Sequence, residues 1–146
     1  MSDASVLSHQ YKTASELSQT INRAVITLKK ACLDLPGAEA LIPEQCDAHR
    51  RCLGELLEAF VALLAPPGPQ RPDEASAARV PGALVARLQA ERRGDLVYFI
   101  DDLERVATRL REEPAQLTDA DFDLLDQLAA AADAEASSVF RRLMRT

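Results

Sequence analysis

The chain has 146 residues, 17 basic and 23 acidic, for a formal net charge of −6. That length suits one domain with a single core, and the acidic balance excludes a general nucleic-acid binder, which needs a basic stripe to displace counterions from phosphates. Five glycines and no tryptophan, with abundant alanine, favour an all-α fold over a sheet.

The N-terminus lacks a charged-then-apolar leader, and no apolar run approaches about 18 residues, so a cytoplasmic protein is expected, away from the membrane. Three cysteines are an odd number and too few for a disulfide scaffold; in a reducing compartment they read as small buried thiols.

The first helix is expected from Ser5 to Leu35. Leu7, Ala14, Ile21, Leu28 and Leu35 form one row of a seven-residue repeat, and Tyr11, Ser18, Val25 and Cys32 form the second. Its opposite side is rich in uncharged polar groups: Ser8, Gln10, Ser15, Gln19, Asn22 and Thr27. Such a face enters an interface at lower desolvation cost than a charged one. Pro36 and Gly37 end the element.

The second helix is expected from about Pro43 to the residue before Pro66. The repeat resumes there as Ile42, His49, Leu56 and Leu63, with Cys46, Leu53 and Phe60 between them. The two helices make a hairpin over residues 5–64. The proline-rich loop 65–73 then crosses to a second hairpin over residues 74–146. A short helical turn is expected over Asp73–Val80, where the loop ends and that hairpin begins. Neither hairpin could bury its apolar stripe alone, so one domain over residues 1–146 is expected.

Pro81 opens the third helix, whose seam runs Leu84, Leu88, Arg92, Leu96, Phe99, Leu103, Val106 and Leu110. Gly94, inside the polar patch Glu91–Asp95, costs about 1 kcal/mol relative to alanine within a helix, so a kink or break is expected near it. The fourth helix has the clearest start. Thr118 caps it, Asp121 follows three residues on, and Leu117 and Phe122 are spaced as a hydrophobic staple. Its seam is Phe122, Leu125, Ala129, Ala132, Ala136, Val139 and Leu143, whose small middle admits a close neighbour. Four such helices make an antiparallel four-helix bundle with a kinked or broken third helix.

Only three seam residues carry reactive chemistry. Antiparallel pairing of the first two helices sets Cys32 opposite Cys46, with His49 one turn deeper. Two thiolates and an imidazole are ligands for zinc or copper. Cys52 lies about 9 Å along the axis from Cys46 at ~1.5 Å per residue, too far for the same ion on an unbroken helix. A metal or thiol-redox sensor through Cys32, Cys46 and His49 is therefore one reading; the plain alternative is core thiols with a hydrogen-bonded histidine and no cofactor.

Two motifs resemble known families and then depart from them. Cys52-Leu-Gly-Glu-Leu56 resembles the central motif of chemoreceptor zinc-binding domains, but their upstream histidine and downstream histidine pair have no counterparts here. Ala48-His49-Arg-Arg-Cys-Leu-Gly54 resembles a histidine phosphotransfer motif. Here the glycine follows the histidine by five residues in place of four, and the preceding lysine is absent.

Glu55-Leu-Leu-Glu58 is half of the carboxylate motif of helical metal-dependent nucleotide pyrophosphatases, since carboxylates one turn apart hold magnesium. With Asp102 it makes a second alternative, a carboxylate-metal enzyme acting on nucleotides; the other half-motif is missing from its expected window. No phosphate-cradling loop, zinc-hydrolase motif or nucleophile signature is present, and no small-molecule substrate is evident.

Leu96-Val-Tyr-Phe-Ile100 is apolar at five successive positions, which cover the whole circumference of a helix. If Leu96, Phe99 and Leu103 face the core, Val97 and Tyr98, with Ile100 on a flank, are left for a partner or dimer surface. The leading expectation is thus a non-enzymatic protein-interaction module, such as an adaptor, regulatory subunit, inhibitor or chaperone-like bundle, binding another protein or itself.

Overall fold

The computed structural model describes residues 3–65 and 80–145. Over these residues the chain is all-helical: α1 (Asp3–Leu33), α2 (Pro43–Leu64), α3 (Gly82–Glu91), α4 (Leu96–Glu112) and α5 (Asp119–Met144). Short 3-10 turns at Ala38–Ala40 and Pro114–Gln116 sit in two of the connections. Residues 66–79, which hold all of the expected proline-rich loop except Ala65 and all of the short turn after it except Val80, lie outside the described residues; Val80 itself is buried.

α1 is helical because its apolar side chains recur every three or four residues, and it buries Ala14, Leu17, Ile21, Ala24, Val25 and Leu28. It stops at Leu33, two residues short of expectation. Asp34 turns left-handed (φ 49°), so the Leu35 amide reaches back to the Lys30 carbonyl at 3.2 Å. That five-residue reach across a left-handed residue closes a helix C-terminus. Gly37, at φ 97°, reverses the chain toward α2, where Pro43 takes the first helical position.

Residues 92–95 form a turn between α3 and α4. The Asp95 amide donates to the Arg92 carbonyl at 3.0 Å. The Arg92 guanidinium lies 4.5 Å from the centre of the Phe99 ring, so the expected seam arginine packs its stem and charge over the first buried residue of α4.

α5 starts with a complete capping box. Thr118 accepts from the Asp121 amide, and the Asp121 carboxylate accepts from the Thr118 amide at 3.0 Å. Its seam buries Phe122, Leu125, Ala129, Ala132, Ala136 and Val139, with Leu143 half-buried.

The packing departs from a simple hairpin scheme. α1 lies mainly along α5, and α2 mainly along α4; the α1–α2 contact is the smaller one. Moving up α1, partners move down α5: Tyr11 meets Phe140 with ring centres 5.7 Å apart, the Ser18 hydroxyl donates to the Ala129 carbonyl at 3.0 Å, and Lys29 reaches Asp126 at 3.5 Å. The pair therefore runs antiparallel, and the alanines of α5 are what let the α1 backbone come close. α3 is held on α5 by Arg87 and Glu135 at 3.1 Å, with Leu84 and Leu88 beneath. One continuous core joins all five helices.

The seven-residue rows are buried only in their middle parts. Leu35 and Ile42 are exposed, Tyr11 is 37% exposed, and His49 and Leu63 are half-buried. The repeat continues past the points where a neighbouring helix is present to cover it. Among the described residues no helix is long and apolar enough to cross a membrane.

Candidate interaction surface

α4 buries Phe99, Leu103, Val106, Ala107 and Leu110. With 100° per residue, Val97 and Tyr98 fall outside that stripe. They are 70% and 73% exposed, the largest exposures among the large apolar side chains of the described residues. Ile100, grouped with them from sequence, is half-buried and packs against the core. Its flank is taken, so the surface consists of Val97 and Tyr98. It is bordered by exposed Asp101 and by the Asp102–Arg105 ion pair at 3.0 Å.

The three chemistry-bearing residues are not assembled into a metal site. Among the described residues no three His, Cys, Asp or Glu side chains stand together as a group that could hold an ion. Cys32, at the end of α1, donates its thiol to the Pro114 carbonyl at 3.3 Å. Burial pushes this thiol above its ordinary range, and the neighbouring Cys46 adds to the shift. Cys32, Cys46 and His49 therefore do not form such a group among the described residues. The Cys32 thiol is instead turned to a carbonyl of the connection between α4 and α5. Cys52 is half-buried against the core.

The carboxylates likewise do not form a metal-holding group. Glu58 pairs with Arg111 across α2 and α4, Asp102 pairs with Arg105, and Glu55 is exposed.

Other apolar side chains reach the surface that sequence reasoning passed over. Ile26 is 55% exposed and Leu33 43% on α1, and Phe140 and Met144 are 46% and 69% exposed on α5. A signal for Ile26 and Leu33 was present, since both lie off the α1 seam and stand seven residues apart. The chain matches no protein-family model, and no curated protein or solved structure matches it.

Proposed function

We propose that this protein is a cytoplasmic, non-enzymatic interaction module that docks another protein through Val97 and Tyr98 on α4. In this reading α3 and α4 together serve as the third helix, broken near Gly94, of a single antiparallel four-helix bundle. The bundle is the scaffold that presents the docking pair. The observation that carries the proposal is the exposure of two adjacent apolar side chains on a helix that already buries a full stripe. Tyrosine supplies a large contact area with few rotatable bonds and a polar tip, the character of an interface anchor.

The test uses the full chain as bait in an extract of the native host, beside Tyr98→Glu and Val97→Glu baits. A partner held by wild type and lost from both variants is then purified and titrated against each by calorimetry. Tyr98→Ala is expected to weaken that binding at least tenfold, about 1.4 kcal/mol. If every captured protein is retained equally by the three baits, the α4 surface is not the docking site.

A further inference from the structure

We infer that the outer face of α1 is a self-association surface that takes a second copy of this chain, antiparallel, about a two-fold axis level with the midpoint between Ser18 and Gln19. The inference concerns a different face from the α4 docking pair and does not rest on it.

α1 is 31 residues long, about 46 Å at ~1.5 Å per residue. Its buried side faces α2 and α5. About a third of a turn away runs a second stripe, at alternating seven- and four-residue spacings, that carries Ala4, Tyr11, Ser15, Asn22, Ile26 and Leu33. Five of these six are exposed and Ser15 is half-buried. The stripe has no carboxylate and one ammonium, Lys29, which Asp126 of α5 already holds. In a chain with 40 charged residues, 17 basic and 23 acidic, a helix-long face so poor in charge is suited to being covered.

The order of residues along the stripe identifies the cover. A closed two-fold interface must be self-complementary: if residue i meets residue j, then j meets i. Antiparallel pairing about the stated axis sets Ala4 opposite the second copy's Leu33, Tyr11 opposite its Ile26, and Ser15 opposite its Asn22. Each large apolar group meets an apolar group, and each uncharged polar group meets another. The remaining pair sets Ser8 opposite Lys29. At the centre stands Gln19 beside its own copy, and Ser15 and Ala4 give room for close approach of the backbones.

The rim agrees with the same register. Glu16 and Arg23 are seven residues apart, so they lie on one flank of the stripe. The pairing brings Glu16 within about 3 Å along the axis of the second copy's Arg23, and by symmetry Arg23 of the second copy's Glu16. Among the described residues Glu16 has one ion-pair partner, Lys12 at 4.0 Å, and Arg23 is exposed with none.

Sedimentation equilibrium of the full chain across the micromolar range tests the inference. Wild type is expected to self-associate to a dimer. Ile26→Glu, at a position too exposed to threaten the fold, should weaken the dimer at least tenfold, because the symmetry repeats the charge. Glu16→Arg alone should weaken it several-fold, and the double exchange Glu16→Arg with Arg23→Glu should restore it. Circular dichroism confirms the helix content of each variant, and Asn22→Glu serves as a second disruption. Tyr98→Glu should leave the dimer intact. The inference is overturned by a wild type that stays monomeric, by a dimer indifferent to Ile26→Glu and Asn22→Glu, or by a dimer that only Tyr98→Glu dissolves.

Discussion

At the scale of single residues, the α1–α2 connection turns on two positions with positive φ. Asp34 holds φ 49° and Gly37 φ 97°. Aspartate visits the left-handed region more readily than most residues, yet glycine does so without a Cβ penalty. Asp34→Gly is therefore expected to stabilise the fold by about 0.5–1 kcal/mol, read as a rise in the urea midpoint at constant slope. Gly37→Ala should do the reverse and cost about 1 kcal/mol. Space is not the reason, because a Cβ there would meet only the Lys30 side chain at 3.8 Å and beyond; the backbone angle is. Pro36-Gly37 announced a break in the sequence. That Asp34 would take the left-handed cap was not legible, since the residue signal for it is weak and the helix could have run on through Leu35.

At the scale of elements, the start of α5 shows how much a local motif can announce and where it falls silent. Thr118, Asp121 and the Leu117–Phe122 spacing were readable as a helix start, because a cap depends only on residues three or four apart. The further role of Asp121 was not readable. Its side chain is 1% exposed and receives Arg109 of α4 at 2.7 Å, a contact that depends on how two helices are set against each other. One carboxylate therefore satisfies the Thr118 amide and ties the end of α4 to the beginning of α5. Asp121→Ala leaves the guanidinium and the amide without their acceptor and should cost roughly 3 kcal/mol, whereas Thr118→Ala should cost about 1 kcal/mol. Arg109→Ala leaves a buried carboxylate with the Thr118 amide but without its charge partner and should approach Asp121→Ala. Thermal or urea unfolding of the three variants separates a cap from a buried pair. If all three lie within 0.5 kcal/mol of wild type (roughly the noise of distant surface substitutions), the pair carries no structural weight.

At the scale of the whole molecule, which helix lies beside which was the least legible feature, and the alanines of α5 explain why. The repeats of α1 and α2 name the buried faces but are indifferent to partner. Antiparallel pairing of the first two helices was enough to set Cys32, Cys46 and His49 toward one end of the molecule, yet among the described residues no three such side chains form a group that could hold an ion. What draws α1 to α5 is smallness: Ala129 and Ala132 are buried at 2% and 0% exposure, and the Ser18 hydroxyl sits 3.0 Å from the Ala129 carbonyl. Small residues look neutral in a sequence, since they mark an absence of bulk that any neighbour could fill. The assignment makes a sharp demand. Ala129→Leu puts three added carbons into the closest part of the α1–α5 contact and must push the helices apart or strain a rotamer, at a cost of about 2–3 kcal/mol. Ala130→Leu, one residue along on the exposed side of the same helix, adds the same bulk to solvent and should change stability by less than about 0.5 kcal/mol. Ser18→Ala removes a hydroxyl whose acceptor also lies within the helix ladder, so it should cost no more than about 1 kcal/mol. Equal losses for Ala129→Leu and Ala130→Leu in urea titrations would mean that helix propensity, and not the α1–α5 approach, sets the cost, and the packing order described above would have to be redrawn.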